Sequence, residues 1–312
     1  MLDLDRNTML GLYGVREFLP ALREAFVGPI VAPTRAHHEA DGTTLLLMPA
    51  WNERFMGVKT VTVSPGNRDR NLPSVHATYT LFEKESGVPL ARFDGKTLTN
   101  LRTSAASALA CDLLAPRNSE RLIMVGTGSL APDLIRAHCD VRPIRRVRVY
   151  GRDADRAARW VREHEFAGVV LEAGADLGAD LESFGDIVSV ATTSSTPVLP
   201  GERVREGTHV DLVGSYQRHT REGDDDLMAR AWVLLDTEMA MSESGDIALA
   251  MESGALCRDR ILGTLGDVLR SSDALHAPAG ALTVFKSVGV ALEDLALAEF
   301  LYEKARGTGN DG

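Results

Sequence analysis

The segment Arg121–Ile135, RLIMVGTGSLAPDLI, decides the fold of this chain. An apolar run leads into Gly126-Thr-Gly128, and a helical pattern follows. This order of strand, glycine turn and helix is typical of a dinucleotide-binding site. In the motif G-x-G-x-x-A, the first glycine allows a tight turn, Gly128 lets the backbone approach a pyrophosphate, and Ala131 permits close packing of the helix. The segment therefore predicts the start of a Rossmann-type domain.

The sequence after this motif repeats the same rhythm. Apolar runs alternate with helical stretches, and the runs are LIMV, RVRVY, GVVLE, DIVSVATT, HVDLV and WVLLD. Repeated βα alternation with nearly continuous apolar strands indicates a parallel, doubly wound sheet. We therefore predict an α/β fold in which residues 117–287 form a Rossmann domain.

Residues 1–116 precede the motif and have a different pattern of apolar runs and turns. Their β-like runs TTLLLM, FMGVKTVTV, ATYTLF and PLARF are separated by turn sequences, which predicts an antiparallel meander. An Ala- and Leu-rich helix is expected to begin at Thr103. A long helix within residues 288–312 is expected to pack back on this α+β domain and complete it.

The composition excludes several classes of protein. The chain has 312 residues and a net charge of −10, and no apolar stretch approaches the roughly 20 residues of a membrane span, so neither nucleic acid nor a membrane is an expected partner. The cysteines are far apart and the histidines are scattered, so no metal site is predicted. The N-terminus lacks a basic segment followed by an apolar one, and a cytoplasmic location is expected.

The residue after the second Rossmann strand bears on the cofactor. An NAD site usually has Asp or Glu there to hold the ribose hydroxyls, whereas the run RVRVYG continues with Arg152. A guanidinium suits the 2′-phosphate of NADP(H) by its charge and its bidentate geometry. NADPH is therefore the predicted cofactor. NADH stays open, because Asp153 is available for the ribose and Arg152 can instead be a solvated arginine in a basic run.

Three cations of the first domain are candidate ligands for an anionic substrate. Lys59 shares a strand face with apolar residues, where an ammonium is costly unless it is paired or has a task. Arg102 immediately precedes the predicted helix, where it can bind a carboxylate, and Arg35 lies in a loop-like stretch. Each can instead be a salt-bridged or solvated charge, and spacing alone does not bring the three together.

Long motifs resemble those of the ornithine cyclodeaminase/mu-crystallin family through nearly the whole chain. They are GVKTVTVSPGN, LPSVHATYTLFEKESGVPLA, DGKTLTNLRTSAASALA, VGTGSLAP, THVDLVGSY, ESGD and TVFKSVGVALEDLALA. The resemblance implies that residues 1–116 and the C-terminal helix form a substrate-binding and dimerisation domain. It also implies that the Rossmann domain binds a nicotinamide cofactor and that the protein is a homodimer.

The resemblance assigns roles to individual residues as well. Arg35, Lys59 and Arg102 match the group that holds the substrate, with Lys59 and Arg102 as the catalytic pair. Besides Gly126 and Arg152 from the motifs above, the positions that match cofactor contacts are Ser74, Thr103, Gly128, Ser129, Thr192, Val213, Gly214 and Ser287.

One departure from the family pattern bears on the reaction. Cyclodeaminases place an aspartate two residues after the glycine of HVDLVG, whereas this chain has Tyr216 there. A neutral phenol does not act as a carboxylate base at neutral pH. Ornithine cyclisation is therefore disfavoured, and Tyr216 is expected at the substrate site.

The chain most resembles the branch that reduces Δ1-pyrroline-2-carboxylate, and often its six-membered homologue Δ1-piperideine-2-carboxylate, to L-proline or L-pipecolate. Such a substrate needs an anion clamp, which Arg35 and Arg102 can supply. Its imine nitrogen needs a group that orients or protonates it, and Lys59 is the candidate. Proline metabolism is thus the expected context, with NADPH or NADH as reductant.

Three other functions stay open at this point. The first is a cyclodeaminase, a lyase, against which Tyr216 and Arg152 count. The second is an alanine-type dehydrogenase acting on pyruvate and ammonia, which would use the same three cations. The third is a binding protein that depends on NADPH, like mu-crystallin, against which the retention of all three cations argues.

Overall fold

The computed structural model describes residues 1–271 and 277–308. It divides the chain into two compact units, of which the first contains Met1–Arg102 and Val290–Gly312 and the second contains Thr103–Gly289. The sequence instead placed the boundaries after residues 116 and 287. The difference at the first boundary arises because the division falls inside one long helix, Gly95–Leu114.

The first unit is built on a six-stranded sheet. Its strands are β1 (Leu2–Leu4), β2 (Ala36–Ala40), β3 (Thr43–Trp51), β4 (Phe55–Val63), β5 (Val75–Glu83) and β6 (Pro89–Asp94). Its helices are α1 (Arg6–Leu12), α2 (Val15–Val27), the start of α3 (Gly95–Leu114) and α11 (Ala291–Thr308). Strands β2 to β6 form the predicted antiparallel meander, and β1 extends its edge in parallel with β6.

Helix α3 begins at Gly95, so the predicted start at Thr103 is wrong. Asp94 Oδ1 accepts a hydrogen bond of 2.8 Å from the backbone N–H of Thr97, which satisfies a donor at the start of the helix. The first two turns contain few alanines, so composition alone placed the start too late. Arg102 therefore lies within the helix, and the predicted corner beside a helix N-terminus does not exist.

The second unit contains an eight-stranded, fully parallel sheet. Its strands are β7 (Arg121–Val125), β8 (Arg146–Tyr150), β9 (Val170–Ala173), β10 (Ile187–Val190), β11 (His209–Leu212), β12 (Trp232–Leu235), β13 (Ile261–Thr264) and β14 (Thr283–Lys286). The spatial order is β13-β12-β14-β11-β10-β7-β8-β9. The order reverses between β7 and β10, which is the switch point where doubly wound sheets bind ligands.

Helices connect these strands. They are α4 (Ala131–Val141), α5 (Ala154–Glu163), α6 (Leu177–Ser183), α7 (Asp225–Arg230), α8 (Ala240–Glu243), α9 (Gly245–Ser253) and α10 (Leu265–Arg270). Alternate residues of β7 enter two separate apolar layers: Leu122 and Met124 pack in one, Ile123 and Val125 in the other. A sheet covered on both faces requires strands that are apolar on both faces. This explains the continuous apolar runs, and the predicted Rossmann-type α/β fold is confirmed.

Helix α11 begins at Ala291, three residues later than predicted. The backbone N–H groups of Val288 and Gly289 donate to Asp236 Oδ2 at 2.8 and 2.6 Å. Gly289 has a φ of +76°, which is left-handed and incompatible with a helix. The turn at residues 287–289 therefore delays the helix, and residues 309–312 of the predicted helix lie outside the described part of the chain.

A buried polar cluster lies inside the second unit. Asp211 in β11 accepts hydrogen bonds from Ser107 (2.9 Å) and Ser189 (2.8 Å), and its Oδ2 lies 3.3 Å from His138 Nε2 on α4. Burial alone lowers the pKa of His138, but the hydrogen bond to Asp211, with a contribution from Cys111, outweighs burial and raises this pKa to about 9. A charged histidine therefore ties α4 to the sheet.

Candidate functional site

The loop between β7 and α4 has the geometry that its glycines predict. Gly126 has a φ of +128°, and a Cβ there would lie 2.5 Å from the carbonyl oxygen of Ala191. At Gly128, no atom of the described chain lies within 4 Å of the place a Cβ would take. Helix α4 then begins at Ala131. Exposed backbone at the start of a helix fits the approach of a dinucleotide pyrophosphate.

Two arginines follow β8, and one of them contacts this loop. Arg152 is exposed directly after the strand, and Asp153 caps α5 by accepting the backbone N–H of Arg156 at 2.6 Å. The Arg156 Nε donates to the hydroxyl of Thr127, within the glycine loop, at 2.9 Å. One oxygen of Asp153 thus caps its own helix. Arg156 places a positive charge beside the glycine loop.

One buried carboxylate joins the loops that follow β10 and β11. Glu222 Oε1 accepts the N–H and the hydroxyl of Thr192 at 2.6 and 3.0 Å, and its Oε2 accepts the N–H groups of Gly214 and Ser215 at 2.8 and 3.1 Å. A Cβ at Gly214 would overlap the Thr192 carbonyl oxygen, so only glycine fits there. The Val213 N–H bonds to Val190 at 3.0 Å. The structure therefore brings together three of the expected cofactor residues at the carboxyl ends of adjacent strands.

A buried ion pair supports this carboxylate. Lys286 Nζ lies 2.9 Å from Asp246 Oδ2 and 3.9 Å from Glu222 Oε2, and none of the three side chains is exposed. Asp246 Oδ1 also accepts the N–H groups of Glu222 and Gly223 at 2.7 and 2.9 Å. Burial raises the pKa of Glu222 to about 7, although the charge of Lys286 opposes this shift.

Ser287, another expected cofactor contact, lies at the end of β14. Its hydroxyl donates to Asp236 Oδ2 at 3.0 Å, and both side chains are buried. Since its hydrogen is used in this bond, the Ser287 oxygen is left to accept hydrogen bonds from a ligand. A nicotinamide carboxamide carries such a donor.

The first unit buries a cluster of charges between its sheet and α11. Lys59 Nζ lies 2.9 Å from Asp294 Oδ1 and 2.8 Å from Oδ2. Arg102 donates to Glu293 at 2.7 Å and to Asp294 Oδ1 at 3.1 Å. All four side chains are at least nine-tenths buried. The structure thus joins the two expected catalytic residues through one shared aspartate.

The electrostatics of this cluster favour an anion. Burial lowers the pKa of Lys59 to about 8; Asp294 opposes this shift, whereas the positive charges of Arg102 and Arg35 add to it. Arg35, directly before β2, is therefore close enough to act on Lys59. Lys59, Arg102 and Arg35 thus bring three positive charges near one place, which suits the binding of a substrate carboxylate.

The remaining expected residues lie at separate places. Ser74 precedes β5 in the first unit, and its carbonyl oxygen accepts the N–H of Ser64 at 2.7 Å. In the second unit, Thr103 is buried in α3, Ser129 is exposed in the glycine loop, and Tyr216 is 40 % exposed after β11. Their contacts with a ligand stay predictions.

Sequence reasoning missed the acids that hold these groups in place. Glu293 and Asp294 are adjacent acids in the otherwise apolar run VALEDLALA, a pattern that marks buried charges. Lys286 gives a similar signal, since it ends the apolar run TVFK. Glu222 gave none, because it lies in the polar stretch RHTREGDDD.

The acids that follow Glu222 have structural roles. Asp224 caps α7 by accepting the N–H of Leu227 at 2.9 Å, and it also accepts the N–H of Gly201 at 3.0 Å. Asp225 pairs with Arg221. Asp224 is therefore part of a helix cap and Asp225 of an ion pair, so neither residue is a free substitute for the aspartate that Tyr216 replaces.

Across residues 1–271 and 277–308, no helix combines the length and apolar character needed to cross a bilayer. Within the same ranges, no three His, Cys, Asp or Glu side chains are grouped as metal ligands.

Known proteins resemble the chain along its full length. A Δ1-pyrroline-2-carboxylate reductase from Colwellia psychrerythraea is 34 % identical over 92 % of this chain and 94 % of its own. The structure of Thermococcus litoralis Δ1-pyrroline-2-carboxylate reductase with NADH and L-proline has a TM-score of 0.91 and 32 % identity, and covers 99 % of this chain and 98 % of the other. An archaeal alanine dehydrogenase dimer with bound NAD has a TM-score of 0.90 and 29 % identity, over 99 % and 97 % of the two chains.

The sequence profile of the ornithine cyclodeaminase/mu-crystallin family matches residues 16–309. This range includes both units and every predicted site residue. The chain belongs to the ornithine cyclodeaminase/mu-crystallin family.

Proposed function

We propose that this protein reduces a cyclic imine carboxylate, Δ1-pyrroline-2-carboxylate or its six-membered homologue, to the L-amino acid with NADPH. The protein is an NAD(P)H-dependent oxidoreductase acting on a C=N bond, as its pyrroline-2-carboxylate reductase relatives are. The observation that carries the choice of substrate is the buried pair of Lys59 and Arg102, which Asp294 and Glu293 hold in place, with the positive charge of Arg35 close enough to act on Lys59.

The arginines hold the substrate carboxylate. The Arg102 guanidinium has a fixed orientation, because Glu293 and Asp294 bind two of its nitrogens. A guanidinium held in this way binds a planar carboxylate with little loss of conformational freedom. Arg35 supplies the second positive charge of the clamp.

Lys59 orients or protonates the imine nitrogen. With its pKa lowered to about 8, the ammonium is charged at neutral pH yet gives up a proton more readily than an ordinary lysine. Asp294 fixes its position. When bound, the reduced nicotinamide supplies a hydride to the imine carbon, and the nitrogen gains one proton to give the amine.

The second unit binds the cofactor. Gly126, Gly128 and Ser129 receive the pyrophosphate, and Thr192, Val213, Gly214 and Ser287 lie at the nicotinamide end. Arg152 receives the 2′-phosphate together with Arg156, which contacts the glycine loop through Thr127. We also propose that the protein is a cytoplasmic homodimer. Light scattering of the purified protein tests the dimer.

Oxidation of the reduced cofactor, followed as the loss of the absorbance band of its reduced nicotinamide, tests the activity. Parallel reactions contain the cyclic imine with NADPH or NADH, pyruvate and ammonia with NADH, and L-ornithine with NAD. Faster turnover of the imine with NADPH is expected. If the protein acted only on pyruvate with ammonia, or only released ammonia from ornithine, this proposal would be wrong.

Alanine dehydrogenase is the second candidate, since the archaeal enzyme has nearly the same TM-score as the imine reductase. Pyruvate also carries a carboxylate, so the same cations suit it. Cyclodeaminase activity is disfavoured, because Tyr216 stands at the aspartate position and Asp224 caps a helix.

A further inference from the structure

We propose that Glu222 is the positioning residue that holds the loops after β10 and β11 in their cofactor-binding arrangement, and that it does so only as a carboxylate. The inference rests on the proposed function in one respect, which is that these loops receive the nicotinamide end of the cofactor. The clamp itself follows from contacts within the second unit.

The hydrogen bonds of Glu222 favour an ionised side chain. Four donors point at the two oxygens of Glu222: the N–H and hydroxyl of Thr192 at Oε1, and the N–H groups of Gly214 and Ser215 at Oε2. A protonated carboxyl would have to donate one bond of its own. Only the Thr192 hydroxyl could turn to accept that bond, and the three N–H groups would then face an uncharged acceptor, which binds them more weakly than a carboxylate does.

The charged groups around Glu222 determine the balance between its carboxylate and its protonated form. Lys286 on β14 favours the carboxylate from 3.9 Å, whereas Asp246 on α9 opposes it. Asp246 also fixes the Glu222 backbone, because its carboxylate accepts the backbone N–H of Glu222. Because burial raises the pKa of Glu222 to about 7, both protonation states are populated near neutral pH. The order of the two loops should therefore change over this range.

Hydrogen exchange of the unliganded wild-type protein tests the clamp directly. We expect the amides of Thr192, Gly214 and Ser215 to lose on the order of tenfold protection between about pH 8 and about pH 6, after correction for intrinsic exchange rates. Protection that is unchanged across this range would overturn the proposal. This measurement requires neither substrate nor a variant.

Glu222→Gln tests the link to the cofactor. Its amide offers one acceptor oxygen and places an NH₂ group against donors, so the Kd for NADPH should rise about tenfold or more and lose its dependence on pH. Asp225→Asn is the matched control: it removes one negative charge nearby, which pairs with Arg221, and should leave the Kd unchanged. An equal Kd and pH dependence in wild type and Glu222→Gln would overturn the proposal. A Glu222→Gln variant with a lower Tm but an unchanged Kd would overturn it as well.

The two proposals fail in different ways. If the wild-type protein bound no nicotinamide cofactor, the proposed function would be wrong. The exchange result would still show whether Glu222 orders the two loops. If it reduced the cyclic imine but showed no change in loop protection with pH, only the role of Glu222 would fall.

Discussion

Lys59 and Asp294 are 235 residues apart in the sequence, yet the Lys59 ammonium lies within 2.9 Å of both oxygens of the Asp294 carboxylate. Both side chains are buried. A buried ion pair contributes little net stability over an apolar pair, but removal of one partner leaves a buried charge uncompensated. Such a pair is better explained by a task in the substrate site than by stability.

Asp294→Asn should lower the free energy of unfolding by about 3–5 kcal/mol, because it leaves Lys59 and Arg102 with one acid fewer. Urea denaturation measures this loss. Glu303→Gln, on the same helix, breaks only an exposed pair with Arg54 and should cost about 1 kcal/mol or less. Equal losses in the two variants would contradict the role given to the buried pair.

The activity should fall as the pH rises through about 8. The pKa of Lys59 is lowered to about 8, so the ammonium that binds or protonates the substrate is lost above this pH. A pH profile of kcat/KM measures the fall. Because Asp294 raises the pKa of Lys59, the fall in Asp294→Asn should move to lower pH.

Lys59→Arg separates the two roles of this residue. A guanidinium stays charged at every accessible pH, so carboxylate binding survives while proton donation does not. If Lys59 is only a ligand, the variant should keep much of its activity and show no fall above about pH 8. A loss of kcat with KM preserved would identify Lys59 as the proton donor.

Arg102→Ala should lower kcat/KM by about 100-fold or more, since removal of one preorganised charge from a reaction centre typically costs this much. The Kd for NADPH, measured by fluorescence, should change little. Arg92→Ala removes an exposed arginine of the same unit and should leave kcat/KM as it is. Unchanged turnover in Arg102→Ala would remove the proposed carboxylate clamp.

Arg152→Ala and Arg156→Ala should each weaken NADPH binding about tenfold while NADH binding changes little, because only NADPH carries the 2′-phosphate. Arg159→Ala, an exposed arginine of the same helix, is the control. Titration of each variant with both cofactors decides the question. Equal losses for the two cofactors would mean that neither arginine reads the phosphate.

His138 should make stability depend on pH. Its folded pKa of about 9 is above the unfolded value of 6.5, so its contribution is complete below about pH 6.5 and is lost as the pH rises through about 9. His138→Gln should have the lower Tm at neutral pH, and the difference from wild type should shrink toward pH 9. A constant difference would show that Asp211 does not hold a charged histidine.

The sequence predicted those parts of the site that are local in the chain. The glycine loop combines a turn, a close approach and a helix start within a few residues, so its spacing alone indicates the geometry. Lys59 could be singled out because an ammonium on an apolar strand face needs a partner. Its partner could not be named, since that pairing depends on how α11 packs on the sheet.

Glu222 shows the other limit of sequence reasoning. Surrounded by polar residues in RHTREGDDD, it has the pattern of a solvated loop, yet none of its side chain is exposed. Its burial depends on where β10, β11 and β14 end in space. The start of α3 was misplaced for a simpler reason, because an Asp94 cap outweighs the low alanine content of the first turns.

The position of α11 in the chain has a consequence for biosynthesis. The last described helix supplies Glu293 and Asp294 to a unit whose other elements are encoded before residue 103. A nascent chain that has emerged from the ribosome only through its Rossmann segment therefore carries Lys59 and Arg102 without their acids. Folding of the first unit must wait until residues 291–308 have been synthesised, and products truncated before residue 290 should be targets for chaperones and proteases.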